Sequence, residues 1–188
     1  MSPNFYHTEK ELRKLGVKCG KGCRVHATVI ITHPKNLKLG SNVKIDAFTT
    51  IISVKKITLQ NYIHVGSYVI LHSGGGTIKL DKFSGASAGV KIFTHSDDYT
   101  GKTFYSPFNA NSKNNGKKSS IHLKKYTILG TNSLILPGAK FGEGTVIGAQ
   151  SVVFQKTEAW TTYFGLPLKK ISKRQKKFIK NIKLKNIK

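Results

Sequence analysis

Among the 188 residues, the residues best suited to proton chemistry stand together at His95-Ser96-Asp97-Asp98. Two of the chain's eight acidic residues sit there beside a histidine. A carboxylate next to an imidazole can orient it and raise its basicity, which is what a general base needs near neutral pH. His64 in YIHVGSY and His72 in LHSGGG are further candidates for a substrate site, and Tyr99 follows in the same segment as His95. The plainer alternative for 95–98 is an Asx-type turn at a loop entrance with a solvated histidine. His26, His33 and His122 have no acid nearby in sequence and read as surface residues. Cys19 and Cys23 are the only cysteines, too few for a disulfide scaffold or a four-ligand zinc site, so no metal is expected.

The elements that would position these residues follow a period of six. Branched apolar side chains recur at Leu39, Ile45, Ile51; Leu59, Val65, Leu71; Leu80, Ala86, Ile92; and from Leu123 through Leu129, Ile135, Phe141, Ile147 to Val153, with Cys19, Val25 and Ile31 extending the series backwards. Gly or Asp often follows, and the fourth position on is small or β-branched. Three such hexads close one triangular coil of short strands, in which the recurrent apolar side chain points to the axis and glycine takes backbone angles that a Cβ disfavours. About six coils stack as parallel strands roughly 4.8 Å apart.

The repeat, [LIV]-[GAED]-x-x-[STAV]-x over residues 19 to 172, resembles the left-handed β-helix, hexapeptide-repeat family. The fold expected is therefore an all-β, left-handed parallel β-helix forming a single domain over 1–188. It divides into an N-terminal helical segment (1–18), coils (19–158) interrupted by a loop (94–120), and a C-terminal turn and helix (159–188). Thr8 and Glu11 form a capping-box pattern, which predicts a short helix within residues 5 to 15. Residues 169–188 hold ten positive charges and no acid, with a partial apolar stripe that reads as a helix. That helix would cover the last coil or approach an anionic membrane.

Many members of this family are acyltransferases that use acetyl-CoA as co-substrate, and several carry a histidine on or beside an extruded loop. The resemblance implies that His95 is the general base, that Asp97 or Asp98 orients it, and that attack on the thioester is direct. It further implies a CoA contact at the turn that looks like the family's terminal segment, with Gly165, Pro167, Lys169 and Lys170, and along the coils at Gly130, Gly148 and Ala149. The alternative for these glycines is that every coil requires small residues. A homotrimer is the expected assembly. The overall look is similar to acetyltransferases of bacterial surface-polysaccharide assembly, so the expected acceptor is a hydroxyl or amine of a sugar or nucleotide-linked sugar.

The net charge of +24 rests on 32 basic residues, of which only Arg13, Arg24 and Arg174 are arginine. Lysine excess favours phosphates over base readout, so no specific nucleic-acid partner is expected. Two other readings remain at this point: a non-catalytic basic scaffold for an anionic polymer, and a zinc enzyme of the same fold drawing on His64, His72 and His95. The N-terminus lacks an apolar signal core and the longest uncharged run is too short to span a bilayer, so a cytoplasmic location is expected.

Overall fold

A computed structural model describes residues 5–102 and 116–179. Strands of two or three residues alternate with tight turns and wind into a triangular prism with three parallel faces. The first face is built from Lys18–Cys19, Leu37–Leu39, Ile57–Leu59, Ile78–Leu80 and Ile121–Leu123. The second runs from Arg24–His26 through Lys44–Ile45, His64–Val65, Gly85–Ala86, Ile128–Leu129 and Val146–Ile147 to Thr161–Phe164. The third comprises Ile30–Thr32, Thr50–Ile52, Ile70–His72, Lys91–Phe93, Leu134–Ile135 and Val152–Val153. The six strands of the third face mark six coils, and Thr161–Phe164 opens a seventh.

The six-residue period lands where it should. Ile31, Ile51, Leu71, Ile92, Ile135 and Val153 pair in direct register up the third face. Cys19, Leu39, Leu59, Leu80 and Leu123 do so up the first. Nearly all are fully buried, and each such side chain contributes roughly 1.5–3 kcal/mol by leaving water. The small position at i+4 has its own cause. Thr49, Ser84, Thr127, Thr145 and Ser151 are buried, and hydroxyls there donate to carbonyls of the turns, as Ser84 Oγ does to Asp81 O (2.7 Å) and Thr145 Oγ1 to Gly142 O (2.9 Å). An inward turn carbonyl is thereby satisfied without water.

The left-handed backbone falls elsewhere than expected. It occurs at i+3, on Phe48, Tyr62, Tyr68, Phe83, Tyr126, Asn132, Gln150 and Trp160, with φ between 54° and 62°. The glycines at i+1 serve close approach instead: a Cβ at Gly130 would lie 2.6 Å from the backbone nitrogen of Ala149 on the next coil. A non-glycine residue in the left-handed region costs roughly 1–2 kcal/mol, and stacking offsets it. Tyr62 stacks on Phe83 (5.1 Å between centroids), Phe83 on Tyr126 (5.6 Å), and Trp160 continues the ladder at 5.8 Å.

Both ends of the prism are covered. The predicted N-terminal helix forms at Glu9–Lys14, with Thr8 and Glu11 in a reciprocal capping box and Leu12 fully buried. Ahead of it, Tyr6–His7 pairs antiparallel with the first strand of the second face. At the other end a strand takes the place of the helix expected to begin at 169. Gly165 and the cis Leu166–Pro167 bond reverse the chain, and Lys169–Lys173 pairs antiparallel with Thr161–Phe164. The open edge of the last coil offers unpaired backbone groups, and that demand outweighs the helical spacing of Ile171 and Phe178. A helical turn appears only at 177–179; the rest of the basic segment, 180–188, lies outside the described residues. Arg174 pins this strap by donating to the carbonyls of Tyr126 and Gly144.

The ladder yields a test. Phe83→Ala removes two stacking partners while keeping a Cβ in the left-handed region, and should destabilise by about 2–3 kcal/mol. Phe83→Gly loses the same ring without that strain and should be about 1 kcal/mol more stable than the alanine variant. Denaturant titration measures both: equal stability of the two variants would show that the corner carries no left-handed strain, and an alanine variant as stable as the parent would show that stacking does not hold it.

Candidate functional site

The long interruption of the repeat leaves the prism at the end of the third face, one coil above the corner at Gly74–Gly76. His72 ends the strand Ile70–His72 and pairs in register with Phe93. His95 lies two residues beyond Phe93, and its ring stands edge-on to His72, 4.6 Å between centroids and 83° between planes. Thr94 between them is fully buried. Its hydroxyl accepts from the backbone N–H groups of Gly75 (3.0 Å) and Gly76 (3.1 Å) and donates to His72 O (3.1 Å).

The three glycines are held against this arrangement, since a Cβ at Gly74 would come within 2.9 Å of His95 Cε1. They are a fitted seat for the imidazole. The base of the loop closes as an antiparallel bridge between His95 and Lys118, flanked by hydrogen bonds from Ser96 N to Lys117 O and from Ser119 N to Thr94 O, both 2.9 Å. Residues 103–115 of the loop fall outside the described residues.

His95 Nδ1 is buried and has no hydrogen-bond partner among the described residues. Burial, followed by the neighbouring His95, holds the pKa of His72 below its ordinary value of 6.5. His72 is thus kept neutral beside a second imidazole that has a nitrogen to spare. Asp97 and Asp98 follow at once and are half-buried, and Tyr99 is 88% exposed. One oxygen of Asp98 accepts from the N–H (2.8 Å) and hydroxyl (2.6 Å) of Thr100, which is the Asx geometry of a loop entrance. Neither carboxylate reaches His95 Nδ1.

His64 is placed on the second face and does not join His72 and His95. Its Nε2 meets Asp46 at 2.7 Å, and Lys44 meets the other oxygen of that carboxylate at 2.9 Å. These groups border a groove of about 390 Å³ lined also by Ser67, Ser87 and Ile128. The same construction recurs on the first face, where Asp81 takes His122 at 2.7 Å and Lys79 at 3.0 Å. Burial pushes both carboxyl groups up, but the hydrogen bonds from lysine and histidine more than offset it and hold both below the usual range. Sequence reasoning missed the His122 pair because Asp81 lies 41 residues away. The signal is present in the coil register, which sets Lys79 beside His122 and Lys44 beside His64. The zinc reading asks His64, His72 and His95 to converge; they lie on two faces, and among the described residues no three metal-ligating groups cluster.

The residues that the resemblance implied for CoA lie at the C-terminal end of the second face. Gly130 is explained by its neighbour coil, and the Phe164 ring lies over Gly148. Gly165 N donates to Ser151 Oγ (2.9 Å), and Pro167 shapes the reversal before the last strand. Lys170 is ion-paired with Glu158 at 2.8 Å, whereas Lys169 has no ion pair among the described residues. Ala149 sits at the turn facing Gly130.

No profile of a known protein family matches the chain. It is 30% identical to the dTDP-4-amino-4,6-dideoxy-D-glucose acyltransferase of Escherichia coli, over 93% of this chain and 91% of that protein. It is 27% identical to a putative lipopolysaccharide biosynthesis O-acetyl transferase of Escherichia coli K12, covering 80% and 76%. Among solved structures it superposes with a TM-score of 0.90 on AntD, an N-acyltransferase from Bacillus cereus in complex with dTDP and 3-hydroxybutyryl-CoA, at 31% identity over 98% of this chain and 99% of that one. Variants of that enzyme, solved with CoA and either dTDP or the dTDP-linked amino sugar, replace one aspartate or one serine ten positions before it.

The half-buried His72 makes stability depend on pH. His72 binds its proton less readily folded than unfolded, so the unfolded state gains protons preferentially as pH falls, and stability is lost below 6.5. Asp46 and Asp81, held low, extend the loss in the same direction at more acid pH. Thermal melts from about pH 7.5 to about pH 5.5 should show a falling midpoint, and His72→Gln should flatten it.

Proposed function

This chain belongs to the hexapeptide-repeat, left-handed β-helix acyltransferases, and on that premise we propose that it transfers an acyl group, acetyl in the simplest case, from acyl-CoA to the amine of a nucleotide-linked amino sugar. The observation that carries the reading is the buried Nδ1 of His95, without a hydrogen-bond partner among the described residues, in edge contact with His72 at the corner from which the loop departs. The near full-length likeness to enzymes named for dTDP-linked amino sugars supports an amine over a hydroxyl as the acceptor.

In the proposed reaction the amine nitrogen attacks the thioester carbonyl while His95 removes its proton. The carbonyl oxygen becomes an oxyanion, for which a backbone N–H is the natural donor. The tetrahedral adduct collapses by breaking the carbon–sulfur bond, and the departing thiolate takes the proton from the His95 imidazolium. Amide and free CoA thiol result, with no covalent bond to the enzyme.

Asp97, rather than Asp98, is proposed as the carboxylate that serves the acceptor. Of the chain's four aspartates, only Asp97 has a serine ten positions before it, Ser87, matching the separation of the altered pair in the Bacillus cereus enzyme. Ser87 lines the groove with His64 and Asp46, which makes that groove the proposed seat of the sugar.

The third face supports a homotrimer. Its outward side chains include Ile52, Ile70, Phe93, Leu134 and Val152, an apolar strip unusual for a sheet left to face water. A neighbouring chain seated on it would border His72 and His95. Acyl-CoA and nucleotide-linked sugars as substrates also favour action in the cytoplasm.

Two measurements test the reading. His95→Ala should reduce kcat by roughly 10²- to 10⁴-fold in a thiol-release assay with a dTDP-linked amino sugar, with the circular dichroism spectrum unchanged; retention within a fewfold removes His95 as the base. Light scattering should give three chains per particle, and a monomer would remove the shared site.

A further inference from the structure

The first face of the prism carries outward cationic side chains in a column broken at Thr58. Lys18 stands beside Lys38, Lys79 beside His122, and the column continues through the parallel bridge between Lys140 and Lys156. Toward the C-terminal end this column borders a groove of about 310 Å³ lined by Ser120, His122, Lys124, Lys140, Lys156 and Thr157. It lies on a different face from the groove at His64 and from the outward side chain of His72.

Lys140 and Lys156 oppose each other directly across the rungs, an arrangement that repels. Among the described residues, neither they nor Lys124 meets a carboxylate. Asp81 is engaged by Lys79 and His122, and Glu158 by Lys170 and Lys173. The Asp81 contact also fixes the His122 ring at the groove wall, with Nε2 facing the carboxylate. Three ammonium groups and an oriented imidazole around one groove ask for a ligand with two or more negative charges. Phosphate groups match that demand, since their oxygens accept from several lysines at once.

We propose that this groove is a binding site for a phosphate-bearing ligand, a diphosphate or phosphate ester, separate from the corner that holds His72 and His95. CoA, a nucleotide diphosphate and free diphosphate share this chemistry. The inference stands on the arrangement of charges and is independent of the acyl-transfer reaction.

The test is calorimetric titration of the full chain with inorganic diphosphate at about 0.1 M salt, where diffuse surface attraction is largely screened. Binding of one diphosphate per chain is expected at this groove. Lys140→Gln/Lys156→Gln should weaken it by roughly tenfold or more, while Lys18→Gln/Lys38→Gln, which removes the same charge from a registered pair on the same face, should change it less than about twofold. Equal weakening by the two pairs, several anions per chain with no saturation, or no binding would overturn the site. Competition then identifies the source. Displacement by CoA but not by dephospho-CoA assigns the 3′-phosphate, displacement by dTDP assigns the nucleotide, and displacement by neither leaves a site for free phosphates.

Discussion

Each rung of the prism must set its branched apolar side chain directly over the one below, and that requirement governs everything else the chain does. Leu71 lies between Ile51 and Ile92 in register, and the faces either side repeat the relation. A shift of one residue would turn the column to water and bring its polar neighbours to the axis. The coil therefore admits extra residues only at corners, and the one long insertion leaves at a corner as well. His95 owes its position to this rule, because the last inward residue before the loop, Ile92, fixes the rotation of the three residues after it.

Once the interior is committed, chemistry is left with the outward side chains, and the prism has three flat walls on which to sort them. The first face turns lysines outward, the second carries histidine, aspartate and serine around a groove, and the third turns isoleucine, leucine, valine and phenylalanine. That division comes from the alternation of a strand: the same backbone that buries Ile45 exposes Lys44 and Asp46. Rung spacing of roughly 4.8 Å then brings residues a full coil apart within hydrogen-bond reach, which is how Asp46 gains His64 and Asp81 gains His122.

Much of this was readable from the sequence because the period of six is a local property that each hexad declares. The inward columns and the place of the loop derive from it, and the N-terminal helix is declared by its own capping box. The features that could not be read depend on neighbouring coils. Aromatic residues at left-handed corners look unfavourable one at a time, and only the stack of Tyr62, Phe83, Tyr126 and Trp160 makes them acceptable. The segment from Lys169 has helical spacing, yet an unpaired sheet edge recruits it as a strand. Within the site, the closeness of His72 and His95 required knowing that Gly74–Gly76 are packed against the imidazole, since three adjacent glycines read equally well as slack.

On the proposed mechanism, the His72–His95 pair supplies the proton acceptor in a chain with few acids. The chain has eight acidic residues against 32 basic ones, so few carboxylates are available to pair with an imidazole. At His72 the pKa is lowered first by desolvation and then by His95. A neutral His72 in edge contact with His95 places a polarisable ring beside the second imidazole without adding a charge of its own. On the proposed mechanism, the positive charge that His95 acquires is brief, and the proton it holds is pressed toward the departing thiolate. A permanently paired carboxylate at Nδ1 would favour holding that proton. With none there among the described residues, the arrangement suits the proposed base, which must also let go.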